Sequence, residues 1–164
     1  YANYTDLNKT GTKITDQIFC NDRIVSKLDP PNTYYGAQGR LYSNKTPILT
    51  CPTASDKFTV NTSNGNGALT YPVGLITADE VAMAGGVYNS GNSSYYLYTN
   101  QYYWAGSPIL FYVGYGAGGF RVGDGGFLYG GFVYNSSEVR GVVSLSSESK
   151  LLGSGTYNDV YVVS

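Results

Sequence analysis

The chain contains no histidine. A nucleophile activated by a neighbouring imidazole is therefore excluded, and with it the usual Ser-His and Cys-His hydrolase arrangements. Charge is also scarce. Charged residues make up 13% of the 164, against roughly a quarter in an average globular protein. Ten basic and eleven acidic side chains leave a net charge of -1. The four arginines (Arg23, Arg40, Arg121, Arg140) are scattered, with no basic stripe for a polyanion, so nucleic acid is not an expected partner. No apolar run approaches the roughly 20 residues of a membrane span, and no signal-peptide pattern opens the chain. Direct membrane insertion of this segment is not expected. The chain begins at Tyr1, which reads as a domain excised from a longer protein.

Only two cysteines are present, Cys20 and Cys51. Without histidine they cannot build the usual Cys/His zinc site, and no metal or cofactor is expected. Two readings stay open for them. They can close a loop of about thirty residues as a disulfide, or sit as two reduced buried thiols. Asn-x-Ser/Thr triplets stand at Asn3, Asn8, Asn44, Asn61, Asn92 and Asn135; in a chain this rich in Asn, Ser and Thr they are expected by chance.

What is abundant is tyrosine (18) and glycine (22). Tyr offers large amphipathic contact area, and Ser, Gly and Asn offer adaptable hydrogen bonding, as on extracellular binding surfaces. Tyr also favours strands, which gives the plainer reading of a β-rich protein. A length of 164 residues is enough for one domain with its own core.

Local signals run as follows. "KITDQIFC" (13–20) fits a strand or a short helix. Residues 29–47 are turn-rich, "DKFTV" (56–60) reads as a strand, and "NTSNGNG" (61–67) as a hairpin-like turn. Thr77 and Glu80 form a Thr-x-x-Glu capping box before Val81, Ala82 and Ala84, and Gly85-Gly86 supplies the stop; the pattern predicts a helix over roughly 78–84. "YYLYTNQYYWAGSP" (95–108) is aromatic-dense and ends at Pro108; its cluster 95–104 reads as a strand for Trp104 and part of the tyrosines, or as a ligand-contact patch. "EVRGVVSLS" (138–146) and "DVYVVS" (159–164) are further strand candidates. One helix and many short strands predict an α+β domain with much irregular loop.

The chemical motifs are weak. "GYGAGG" (114–119) satisfies Gly-x-Gly-x-x-Gly, but no helix pattern follows to hold a pyrophosphate. "SESK" (147–150) fits Ser-x-x-Lys but lies in a polar turn. Asp22 and Asp124 read as turn or structural carboxylates. "VGDGG" (122–126) offers one carboxylate, too few for Ca²⁺. The triplet Gly-Gly-Phe recurs at 118, 125 and 130 with uneven spacing, so it is no solenoid repeat. Glycines beyond 108 are expected to prevent dense packing there and to leave the aromatics free for contact.

The order of pieces carries a resemblance. Trp104, Ser107-Pro108, Asp124-Gly125 and Val139-Arg140 follow one another after "TYPVGLITADEVAMAGG". "FCNDR" (19–23), "YYGA" (34–37) and "NKTP" (44–47) precede them. Together they resemble the C-type lectin fold in its formylglycine-generating-enzyme-like branch. The likeness is closest to the retroelement-diversified variable proteins of bacteria and phages. Gly141 stands where that pattern has proline. The enzyme's catalytic cysteines and the Ca²⁺-sugar motifs of animal C-type lectins have no counterpart. The resemblance implies a single C-type lectin-like domain over 1–164, a binding fold without enzyme activity. It would lie outside the cell, on a bacterial surface or a phage virion. Its partner would be a protein or glycan receptor, met by residues about 105–137. That stretch contains no Lys, Glu, Gln, Met or Trp, as diversified NNY codons would require. The expected contacts are Ile109, Leu110, Tyr112, Tyr115, Phe127, Tyr129, Phe132 and Tyr134. Arg121 and Asp124 would give directed polar contacts. Trp104 and Arg140 are assigned to the scaffold, and Phe120 and Phe132 could also prove to be core. A structural or assembly module of a surface protein or phage fibre is the alternative.

Overall fold

A computed structural model of the chain describes residues 13–156 and 158–163. The sequons at Asn3 and Asn8 lie outside the described residues. The architecture is mostly β with few helices. Its centre is a five-stranded antiparallel sheet in the order β3–β4–β6–β7–β8, built from Val25–Asp29, Asn32–Tyr35, Tyr103–Tyr112, Gly116–Val122 and Leu128–Phe132. Two-residue strands pair around it: β1 (Ile14–Thr15) with β9 (Ser144–Leu145), β2 (Phe19–Cys20) with β5 (Lys57–Phe58), and β10 (Leu151–Leu152) with β11 (Val162–Val163). The segment 13–20 is thus two short strands rather than a helix.

β6 organises the core. Its burial alternates, with Tyr103, Ala105, Ser107 and Ile109 turned inward. That is the two-residue period of a strand with one covered face. The strand does not stop at Pro108 but runs on to Tyr112. Proline removes a ladder donor, and the register shifts on both sides of Pro108 before regular pairing resumes at Leu110. The aromatic run 95–102 ahead of β6 is turn and loop, not strand. Phe120, Val122 and Leu128 from β7 and β8 complete the inner face.

A helix α1 (Gly36–Gln38) continues into a π-helical turn (Gly39–Asn44), which buries Ala37 and Leu41. Helix α2 (Ala78–Met83) forms as its capping box predicts. The Thr77 hydroxyl accepts from the Glu80 backbone N–H at 3.1 Å, and the Thr77 N–H donates to Glu80 Oε2 at 2.8 Å. Gly85 ends it at φ +120, a conformation that only glycine takes easily. The Ala78 N–H donates to the buried Ser107 hydroxyl at 2.9 Å, which fastens α2 to β6.

The segment 138–146 is extended but only partly paired. Glu138 and Val142 make single bridges, and only Ser144–Leu145 joins a strand. Cys20 and Cys51 are joined in a disulfide, which settles the alternative left open by their number. Among the described residues, no helix is long and apolar enough to cross a membrane.

Candidate functional site

The glycines of 118–131 act first as seats for neighbouring side chains. A Cβ on Gly130 would lie 2.7 Å from Ile109 Cδ1, and one on Gly118 would lie 3.1 Å from Ile109 Cγ2. A Cβ on Gly131 would collide with the Arg121 guanidinium. One on Gly123 would press into the Phe127 ring, and one on Gly126 into the Asn92 carbonyl. The expectation that glycines loosen packing here is corrected: they permit it. Ile109 is corrected with it. Ile109 is 3% exposed, held in the Gly118 and Gly130 seats, so it is core and not part of an exposed contact surface.

The other expected contacts fall on different faces. Residues opposite one another in a ladder share a face. Arg121 pairs with Trp104 and with Tyr129, so those three stand together on the outer face. The Arg121 guanidinium lies 4.6 Å from the Tyr129 ring centre, 5.4 Å from Trp104 and 5.6 Å from Tyr102. It also donates to the Ser137 hydroxyl at 3.0 Å. Phe127 tilts against Tyr129 at 4.9 Å. Asp124 is exposed in the β7–β8 turn, where its carboxylate holds the Tyr102 phenol above its ordinary pKa. Burial raises Tyr129, and Arg121 opposes that rise. Arg121 is thus enclosed by aromatic rings, a cation–π arrangement that stabilises the fold. Arg140 stacks on Tyr103 at 4.7 Å, and Trp104 takes a backbone bond from its N–H to the Glu138 carbonyl at 3.0 Å.

The remaining rings gather at the far end of the sheet, beside the β6–β7 turn. Tyr112 meets Tyr115 edge-on at 5.6 Å. Tyr115 stacks on Phe132 at 5.7 Å, and Phe132 stacks on Tyr134 at 5.4 Å. Tyr115 and Tyr134 are 61% and 67% exposed. This apex is the exposed aromatic part of the expected surface.

A second feature lies on the inner face of the sheet. Lys27 pairs with Tyr34, Tyr34 with Leu110, Leu110 with Gly118 and Gly118 with Phe132. One cross-strand row therefore crosses all five strands on the inner face. Above its β4–β6 part lies a groove of about 450 Å³, walled by Tyr34, Tyr42, Tyr88, Gln38 and Ser43, with Ile109 and Leu110 as floor. A smaller cavity of about 160 Å³ continues it past Gly118 and Gly130 to Phe132. Spacing could not reveal this, because the residues converge only through strand register.

The strongest ionic cluster lies elsewhere. Arg40 makes a two-pronged bond to Asp79 (2.9 and 2.8 Å) and one to Asp22 (2.7 Å). Asp79 also accepts the Ile48 N–H, and Asp22 the Ile24 N–H. The hydrogen bond to Asp79 raises the Arg40 pKa against the opposing effect of burial. Both carboxylates are engaged on all sides, as structural groups are. Among the described residues, no three His, Cys, Asp or Glu side chains group as a metal site.

No protein-family model matches the chain, and no curated protein or solved structure matches it. The chain is a mostly-β domain with few helices, whose central sheet carries an exposed aromatic end.

Proposed function

We propose that the chain is a ligand-binding domain of the C-type lectin fold that presents its aromatic apex to a protein or glycan receptor outside the cell. The observation that carries this reading is the contiguous ring series Tyr112, Tyr115, Phe132 and Tyr134 at the end of the sheet, in which Tyr112, Tyr115 and Tyr134 are exposed. Exposed contiguous aromatics mark interaction sites, and Tyr is enriched among residues that dominate binding energy. The role is binding rather than catalysis, at a bacterial surface or on a phage virion. The sheet supplies rigidity, so the rings lose little entropy on contact.

The test is a screen of the domain on protein and glycan arrays, repeated with Tyr115→Ser/Tyr134→Ser. Both side chains are exposed, so the variant should keep its fold while the array signal falls at least tenfold. An undiminished signal overturns the reading. A near-repeat beside the gene, differing only at adenines, would support diversification of 105–137.

A second reading, an assembly module, is favoured by one observation. In the β10–β11 hairpin, Leu151, Leu152, Tyr161 and Val162 are each more than half exposed. An isolated two-stranded hairpin is marginal in water. Light scattering separates the readings: a stable oligomer lost on Leu152→Ser/Val162→Ser favours assembly, and a monomer removes it.

A further inference from the structure

We infer that the inner-face groove between Tyr34, Tyr42 and Tyr88 is a binding site for a short oligosaccharide. The site goes beyond the apex reading, because its walls come from β3, β4, α1, the π-helical turn and Tyr88, and only its floor, Ile109 and Leu110, comes from 105–137.

The groove's size lies within the ~300–1,000 Å³ typical of small-ligand sites. Its floor is apolar, with buried Ile109 and half-buried Leu110. Its walls combine ring faces and polar tips. Tyr42 meets Tyr88 edge-on at 5.2 Å, which sets their two planes nearly perpendicular, and both residues line the groove. Tyr88 in turn is braced against buried Phe120 at 6.1 Å. Lys27 Nζ stands 5.8 Å from the Tyr34 ring at one rim, where it also meets Asp29.

The polar groups decide the class of ligand. The Gln38 amide, the Ser43 hydroxyl and the phenols of Tyr34, Tyr42 and Tyr88 line the cavity with no side-chain hydrogen bond among the described residues. Each hydroxyl can both donate and accept, and the amide presents one donor and one acceptor group. A sugar offers the complement: hydroxyls that do both, and C–H faces that lie against aromatic rings. A proline-rich peptide also favours aromatic grooves, but its prolines offer acceptors alone and would leave the acceptor half of this set unmatched. Strand addition would use the free edge of β3, whereas the groove is floored by Ile109 and Leu110 of β6, which is paired on both sides. The lining contains no carboxylate, so sugar capture here uses stacking and hydrogen bonds rather than a chelated cation.

The experiment is titration of the ¹⁵N-labelled domain with β-linked glucose, galactose and N-acetylglucosamine oligomers of two to six units, and with acidic oligosaccharides, each with and without EDTA. At least one series should saturate, insensitive to EDTA, with shifts centred on Tyr34, Gln38 and Tyr88. Tyr42→Ala and Gln38→Ala should each weaken that binding about tenfold, while Tyr115→Ser/Tyr134→Ser leaves it unchanged. Tyr42 is 55% exposed, so its loss should spare the fold. The inference is overturned if no oligosaccharide saturates. It is overturned too if a proline-rich peptide binds there and sugars do not, or if binding survives both groove variants. Sugar binding lost only in the apex variant would uphold the apex as receptor site and reject the groove.

Discussion

Ile109 fills the space that a side chain at position 130 would need. Its Cδ1 lies 2.7 Å from where a Cβ on Gly130 would be. Gly130→Ala should therefore cost about 1–3 kcal/mol by overpacking. Ile109→Val removes the clashing carbon and alone should cost about 0.5–1.5 kcal/mol. The double variant should be less destabilised than the sum of the two, because the sites are coupled. Urea unfolding of all four proteins checks this; simple additivity would mean the seat is not real.

Arg121 was expected to reach for a partner, but three rings already surround it. Arg121→Ala should cost about 1–2 kcal/mol on this ground. Arg121→Lys should recover little, since an ammonium cannot stack as a planar guanidinium does. Thermal unfolding of both variants gives the ordering. A neutral Arg121→Ala would return the residue to the surface and revive its assignment as a contact.

Much of the local structure was legible and little of the assembly was. The capping box at Thr77 and Glu80 is a local signal with a local outcome, and helix α2 follows it. The β-rich class followed from short apolar stretches between turns. The glycines misled because a glycine's neighbours across strands are invisible in sequence. Gly130 and Gly131 look like slack, yet they seat Ile109 and Arg121. Pro108 marks the end of the aromatic segment in sequence, yet one strand runs through it to Tyr112, because a register shift absorbs a proline that would otherwise stop the ladder. The groove is illegible in sequence for a similar reason: Lys27, Tyr34 and Leu110 are joined only by pairing between distant strands.

The Arg40 cluster should be the most sensitive polar point. Arg40 is 18% exposed, and its two-pronged bond is to Asp79. Removing one partner of a buried pair costs about 3–5 kcal/mol, because the charge left behind is uncompensated. In Asp79→Ala Arg40 still faces Asp22, so the cost should fall below that range, and Asp22→Ala, which leaves the two-pronged bond in place, should cost less still. Denaturant midpoints give the order, and a reversed order would reject the geometry.

The Cys20–Cys51 bridge closes a loop with a sequence separation of 31. The chain-entropy relation gives about 3–4 kcal/mol for such a loop. Cys20→Ser/Cys51→Ser should lose stability on that scale, and reductant should then have no further effect. If reductant shifts the wild-type midpoint by nothing, the bridge does not constrain the unfolded chain.

Stability should fall on the alkaline side, and the sign follows from the tyrosines. Burial, aided by neighbouring Tyr103, pushes the Tyr95 phenol far above its ordinary value of about 10. Burial also raises Tyr103 and Tyr88. In the fold these groups stay neutral while the unfolded chain releases its protons near pH 10. Above that pH the unfolded state binds fewer protons, so stability declines as pH rises. The contribution is complete below about pH 10 and is lost as pH climbs toward the raised folded values. Each such tyrosine steepens the decline by up to about 1.4 kcal/mol per pH unit. Tyr95→Phe keeps the ring and removes the ionising group, so its stability should fall less steeply between pH 10 and 11, with little change at pH 8. Urea unfolding at these three pH values provides the comparison, and equal slopes for the two proteins would show that Tyr95 does not carry the alkaline limb.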